Sequence, residues 1–244
     1  MDTFRIFKTQ ITRTSTDEVT KKLLESEGTT VAICNANTLV RSYKNEDLNK
    51  KINSFDIKCP DGFPVAKSFK YLYGVKQNRV DGYKVFHNTI IKGIPLGLSH
   101  YFFGSNNEIL TKMIKNLKIM YPNMEISGYF CPPIKSYQEL TKDIFVQDMI
   151  EKNADVVWVS LGFPKQEEFI LDFKNKYKIT SNLVGVGAVF EWVAGTKIKA
   201  PEWIANLGFE WIFRLFQEPK RLLRRYLIDN FLFIIYFVRQ YISK

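Results

Sequence analysis

The sequence predicts an α/β fold, a Rossmann-like, mostly parallel sheet with helices on both faces, followed by a basic helical appendage at the C-terminus. Three observations predict it. From Val31 to Val186, apolar strand-like runs alternate with amphipathic helical stretches, a spacing that parallel strands with right-handed crossovers produce. Capping signatures mark helix starts after several of these runs. Beyond about Gly195 the alternation gives way to helical sequence rich in tryptophan and arginine. That change sets an α/β unit over residues 1–195 and an appendage over 196–244. A chain of 244 residues, 45% of them hydrophobic, is sufficient for such a core.

The elements follow in order. Residues 4–7 read as a short framing strand, and Ser15-Thr16-Asp17-Glu18 as a capping box that opens a helix. Val31-Ala32-Ile33-Cys34 is a buried-strand candidate, followed by a helix over 39–52, a strand over 55–58 and the loop Cys59-Pro60-Asp61-Gly62. Helices over 63–73 and 82–92 precede a strand over 98–103, where Gly104 turns the chain into a helix capped by Ser105-Asn106-Asn107-Glu108. The next strand spans 125–130. After Pro132-Pro133, Ser136 and Glu139 form a capping box for a helix reaching about Lys152, and 155–161 is a strand. Gly162-Phe163-Pro164-Lys165-Gln166-Glu167 opens a helix, and 182–186 is the last strand, ending in Gly185-Val186-Gly187. In the appendage, Pro219 suits the first turn of a helix, where its missing N–H costs nothing. Arg221, Arg224 and Arg225 then share one cationic face beside Leu222, Leu223, Tyr226 and Leu227.

Charge and composition narrow the function classes. The net charge is +10, and from Gly195 onward nine Lys and Arg stand against four Asp and Glu, so half of it lies in the last 50 residues. Such asymmetry points to a polyanion, a nucleic acid or an acidic membrane face, or to a solvated basic tail. The aromatic residues beside the arginines favour the membrane. No export signal precedes the first strand, and the longest apolar run, 231–238, is far below the roughly 20 residues a bilayer span requires. A cytoplasmic, membrane-peripheral protein is expected. Cys34, Cys59 and Cys131 have no metal-ligand spacing and read as small buried residues of a reducing compartment.

In open parallel sheets, ligands bind beyond the carboxyl ends of the strands. The loops there carry Asn35, Asp61, Gly104 with Ser105, Pro164-Lys165-Gln166-Glu167, and Gly187 with Glu191. Asp61, between Pro60 and Gly62, reads either as a general base held at the sheet edge or as a turn aspartate bonding its own backbone. The 164–167 segment reads as an anion site at a helix start or as an ordinary cap. Arg79 would pair with a phosphate or with Asp81. His87 and His100 read as packing residues. Phe190 occupies the third glycine position of a dinucleotide fingerprint, and no Walker lysine motif is present. No Asp-x-Asp pair for a metal-held diphosphate is present either.

These segments taken together resemble the WecG/TagA/CpsF family of bacterial glycosyltransferases over residues 30–227. The resemblance rests on Asn35-Ala36-Asn37, Pro60-Asp61-Gly62, Arg79-Val80-Asp81-Gly82, Phe103-Gly104-Ser105, Gly128-Tyr129 with Pro132-Pro133, and Gly162 through Glu167. It continues through Gly185-Val186-Gly187 with Phe190, Ala200-Pro201-Glu202-Trp203, Glu210-Trp211, Arg214-Leu215 and Glu218-Pro219. It implies an inverting, metal-independent transfer of a sugar, typically N-acetylmannosamine, from a UDP-sugar to a polyprenyl-diphosphate-linked sugar in cell-surface polymer synthesis, with no cofactor. It further implies Asp61 as general base, Arg79 as a phosphate contact and Asn35 and Gln166 in the donor pocket, with Gly104, Gly187 and Glu191 beside them. Arg214, Arg221 and Arg224 are implied as a clamp on the lipid diphosphate. An arginine can stabilise a departing diphosphate in place of a metal, so the residue types suit the chemistry. Two positions depart from the pattern: Ile33 stands where relatives often carry threonine, and Glu191 where they carry aspartate.

The expected partners are therefore a UDP-sugar, a polyprenyl-diphosphate glycolipid and an anionic membrane surface on the inner face of the bacterial cytoplasmic membrane, with no nucleic acid; a homo-oligomer is left open. The competing classes are a nucleic-acid-binding module using the same arginines and a membrane scaffold without catalysis.

Overall fold

The structure, a computed structural model, describes residues 1–243 apart from the side chain of Arg225, so that part of the expected cationic face lies outside the described residues. Strands β1 (Thr3–Ile6) and β2 (Thr9–Thr12) form an antiparallel ribbon; the sequence predicts only the first. Helix α1 (Thr16–Glu25) starts at the expected capping box, with the Ser15 hydroxyl accepting from the Glu18 N–H and the Glu18 carboxylate accepting from the Ser15 N–H.

The expected parallel sheet is present. Its strands are β3 (Thr30–Cys34), β4 (Ile57–Pro60), β5 (Ser99–Gly104), β6 (Glu125–Phe130), β7 (Val156–Ser160) and β8 (Asn182–Gly185). They run in the order β4-β3-β8-β7-β5-β6, every neighbouring pair parallel. Helices α2 (Ala36–Lys44), α3 (Glu46–Asn53), α4 (Phe63–Tyr73), α5 (Gly82–Gly93), α6 (Asn107–Met120), α7 (Tyr137–Leu140), α8 (Asp143–Lys152) and α9 (Lys165–Tyr177) connect the strands. Helices α10 (Val189–Val193), α11 (Glu202–Asn206), α12 (Glu210–Gln217) and α13 (Pro219–Ile242) follow the last strand.

Strand periodicity divides the core into two layers. Tyr101, Phe103, Val157 and Val159 point to the face covered by α2, α3, α4, α8 and α9. Their neighbours Phe102, Val156 and Trp158 point to the other, under α1, α5, α6 and α10. Both faces are covered, so these strands are apolar throughout rather than alternating with polar residues. Trp158 is fully buried, its indole N–H donating to His100 Nδ1 at 3.1 Å, so His100 is the packing residue the sequence predicts.

Several boundaries differ from the sequence reading. The helix expected over 39–52 is two helices, because Asn45 ends α2 and caps α3, its Oδ1 accepting from the Leu48 N–H at 3.0 Å. Strand β4 lies two residues later than expected, since its register pairs Val31 with Ile57 and Cys34 with Pro60. Pro60 is accepted there because β4 is an edge strand. The α6 cap is Asn106 rather than Ser105; the Ser105 N–H donates to the Ser160 carbonyl, in a left-handed backbone with φ 63°. The helix expected from Ser136 to Lys152 breaks at Thr141, whose carbonyl accepts from Tyr177 Oη and Lys176 Nζ and not from the helix ladder.

The appendage is packed into the fold. Pro219 is the first residue of α13, as the sequence predicts. Leu222 and Phe233 of that helix are buried, and Phe233 joins the core layer of the sheet. Farther along, Gln240 binds the turn of the N-terminal ribbon, accepting from the Phe7 N–H and donating to the Arg5 carbonyl. Among the described residues, no helix is long and apolar enough to cross a membrane.

Candidate active site

Because all six strands run parallel, their carboxyl ends share one edge, and the loops the sequence singles out converge there. A polar cavity of about 300 Å³ lies at this edge. Asn35, Asp61, Gln166, Gly187 and Glu191 all line it, together with Ser105, Asp81 and Trp192. Arg214 and Arg221 reach its wall from the appendage. Gly104 does not line it. The reason for a glycine at 104 is packing: at φ 126°, a Cβ there would stand 2.3 Å from the Ser160 carbonyl oxygen.

Local structure fixes each polar group. Asn35, which lines the cavity, caps α2, its Oδ1 accepting from the Thr38 N–H at 3.2 Å. Gln166 is buried just inside α9. Its Oε1 accepts from the Gly187 N–H at 3.2 Å and its Nε2 donates to Glu167 Oε1 at 2.8 Å, joining the α9 start to the β8 loop. The Gly187 carbonyl accepts from Ser160 Oγ at 2.6 Å. Glu191 is paired with Lys197 at 2.6 Å, and Lys197 also reaches Glu218 at 2.8 Å, at the foot of α13.

Asp61 stands directly after β4. Its backbone N–H donates to the Cys34 carbonyl and its Oδ1 accepts from the Gly62 N–H at 2.8 Å. Burial, then the neighbouring Glu210 carboxylate, push its pKa up to about 7, against the opposing pull of the Arg79 guanidinium. Arg79 is mostly buried. It pairs with Asp81 at 2.8 Å and with Glu210 of α12, so the ion pair with Asp81 that the sequence left open is present, with a second carboxylate added. Lys199 completes the group, 2.7 Å from Asp81 and lying over the Tyr83 ring.

Arg79 lines a second cavity, also about 300 Å³, on the appendage side of Asp61. Its walls are largely apolar: Phe63 and Pro64 from the start of α4, Trp211 from α12, and Tyr226, Phe233 and Ile234 from α13. Four residues, Asn35, Asp61, Glu210 and Arg214, line both cavities and so form the boundary between them. Arg214 also lies over the Trp192 ring, 5.6 Å from its centroid. Of the three arginines expected to form one clamp, Arg214 and Arg221 reach the polar cavity, while Arg224 is exposed and lines neither space.

Sequence reasoning missed Glu210 and Trp192 as site residues. Glu210 and Arg214 have i, i+4 spacing, which on a helix reads as a surface ion pair. The fold gives Glu210 to Arg79 instead.

A sequence profile of the Glycosyl transferase WecG/TagA/CpsF family matches residues 4–244. Two curated proteins are similar to the chain, each named N-acetylglucosaminyldiphosphoundecaprenol N-acetyl-beta-D-mannosaminyltransferase. The one from Bacillus subtilis (strain 168) is 25% identical over 194 residues, covering 80% of this chain and 73% of its own length. The one from Bacillus spizizenii (strain ATCC 23059 / NRRL B-14472 / W23) is 26% identical over 202 residues, covering 83% and 76%. With a match that runs essentially end to end, this chain belongs to the WecG/TagA/CpsF family of glycosyl transferases.

Proposed function

We propose that the chain transfers N-acetylmannosamine or a related hexose from a UDP-sugar to a polyprenyl-diphosphate-linked sugar, inverting the anomeric centre without a metal. The observation that carries this reading is the meeting of the two cavities at Asp61 and Arg214. The polar space, with the Asn35 amide, the Gly187 loop and two arginines, suits a sugar nucleotide. The apolar space suits the acceptor sugar and the start of its isoprenoid chain.

In this reading Asp61 removes the proton of the acceptor hydroxyl. That oxygen attacks the donor's anomeric carbon from the face opposite the UDP group. The bond from that carbon to the phosphate oxygen breaks, and UDP leaves with the electron pair, its added charge met by Arg214 and Arg221. The protonated Asp61 then returns its proton to water. A pKa raised toward neutrality suits a general base working near pH 7. Because Arg79 is mostly buried between Asp81 and Glu210, its part is the tuning of Asp61, and the phosphate contacts fall to Arg214 and to the exposed Arg221, which would exchange its Glu218 partner for the phosphate.

The appendage supports a peripheral docking on an anionic membrane. Leu223, Leu227, Phe231 and Val238 are exposed along α13 at helical spacing, and Phe216 of α12 is 83% exposed. Ile234 belongs to this stripe and also lines the apolar cavity, so the stripe leads to the site.

The test is incubation of the full chain with a panel of UDP-sugars and a short-chain polyprenyl-diphosphate N-acetylglucosamine, with mass measurement of the product. One added sugar residue, an N-acetylhexosamine or a hexose, formed equally well in EDTA, is the expected result. No product with any donor, together with no calorimetric binding of UDP, would remove the reading.

A further inference from the structure

We propose that Glu210, delivered by the appendage helix α12, is a positioning residue for Asp61: it shares the Arg79 guanidinium with the base, drawing part of that charge onto itself, and sets a second carboxylate beside it. The proposal rests on the transfer reading for what the base does, and on geometry for the link itself.

The Arg79 guanidinium is mostly buried and within reach of two carboxylates, Asp81 on one side and Glu210 on the other. Asp81 comes from the same loop as Arg79 and is held by its own work as the α5 cap, its Oδ1 accepting from the Tyr83 N–H at 2.9 Å. Glu210 comes from 131 residues away, on an element joined to the sheet only through the appendage. Asp61 already feels the Arg79 charge, and without Glu210 more of that charge falls on it. A base paired with an arginine is a weaker proton acceptor.

The charges around Asp61 come from several elements. Arg79 and Asp81 lie on the loop before α5, and Glu210 and Arg214 on α12. Glu167 at the start of α9 lines the polar cavity and Tyr226 of α13 the apolar one. The Cys34 and Cys59 thiols lie beneath the carboxylate, both held neutral by burial. Of these, Glu210 and Asp81 raise the Asp61 pKa and Arg79 lowers it, Glu210 being the largest charge effect. Replacing Glu210 by glutamine removes a like charge and frees a cation, and both changes favour the ionised form. The midpoint therefore falls.

The experiment titrates the Asp61 carboxyl by ¹³C NMR in the full chain labelled at aspartate Cγ, the signal being identified by its loss in Asp61→Asn. Glu210→Gln is expected to lower the midpoint by about 1–2 pH units, and Glu210→Asp, which keeps the charge, to restore most of it. The acid limb of kcat/KM for transfer should move to lower pH by the same amount. At pH 8, where the base is ionised in both proteins, kcat should fall several-fold with the donor KM unchanged. An unshifted midpoint in a folded Glu210→Gln protein, or an equal shift in Glu210→Asp, overturns the proposal. If the wild-type chain transfers no sugar, the functional reading fails, while the titration still decides whether Glu210 governs Asp61.

Discussion

Asp61 and Arg214 line the same two cavities, the aspartate at the end of an edge strand and the arginine on the appendage. The site is therefore assembled from the two parts of the chain that the sequence separates near Gly195. In the proposed transfer, the carboxylate would accept the acceptor's proton and the cation would receive the charge of the leaving group at the boundary where the two cavities meet.

Replacing Asp61 by asparagine is expected to reduce transfer by at least about 10³-fold, at the upper part of what a general base contributes, without unfolding the protein. Its effect on stability should have the opposite sign. The folded-state pKa is raised above the unfolded value of 3.8 to about 7. The folded state therefore holds the proton more tightly, and stability is lost as pH rises between those values. Above pH 7 the wild-type protein carries a half-buried charge that Asp61→Asn lacks. Thermal melts at pH 5 and pH 8 should show the variant gaining on the wild type at the higher pH; the reverse order would mean that Asp61 is stabilised as the anion.

Gly104→Ala should destabilise the fold rather than merely weaken donor binding. The new Cβ would collide with the Ser160 carbonyl at the β5–β7 junction, in a backbone region that L side chains rarely adopt. A loss of about 2–4 kcal/mol is expected, read as a fall of roughly 5–10 °C in Tm. A variant with an unchanged Tm and weakened UDP binding would return Gly104 to the donor pocket.

Lys197 is the cation between Glu191 beside the polar cavity and Glu218 at the start of α13. Lys197→Ala leaves Glu191 without its cation and Glu218 with Arg221 alone, at 2.5 Å. It should weaken appendage docking by about 1–3 kcal/mol, raise the acceptor KM more than the donor KM, and open the segment around α12 to limited proteolysis. Equal proteolysis of the two proteins would deny Lys197 this role.

Leu227 and Phe231 are 62% and 63% exposed on the outer face of α13. Changing both to serine should leave the Tm within about 2 °C, since surface substitutions away from packed features cost little. Sedimentation with vesicles containing anionic lipid should nevertheless drop sharply, while turnover of a short-chain, water-soluble acceptor persists. Undiminished vesicle binding would place the membrane contact elsewhere.

Much of this arrangement was legible in the chain. The apolar runs of β3, β5, β7 and β8, the capping boxes at Ser15 and Ser136 and the Pro60-Asp61-Gly62 turn are local signals, each complete within a few residues. The second ribbon strand was not, because Thr9–Thr12 is polar and draws its order from pairing with β1. Nor was the Asn45 break, where a residue that reads as helix surface serves as a cap. The division of the tail arginines depended on the rotation of α12 and α13 against the sheet. That rotation is set by contacts such as Leu222 and Phe233 in the core and the Asn37 amide on Asp229.

By itself, the sequence determined that strands and helices would alternate, that the sheet would be parallel, and that polar loops would gather at one edge, because periodicity and turn chemistry act between near neighbours. Only the tertiary structure decided which charges meet: Arg79 with Glu210, Lys197 with both Glu191 and Glu218, and Arg224 with neither cavity. The reason is that the energy of a charge in a protein interior depends on its depth and on partners brought from distant segments, and neither is fixed until the whole chain has packed.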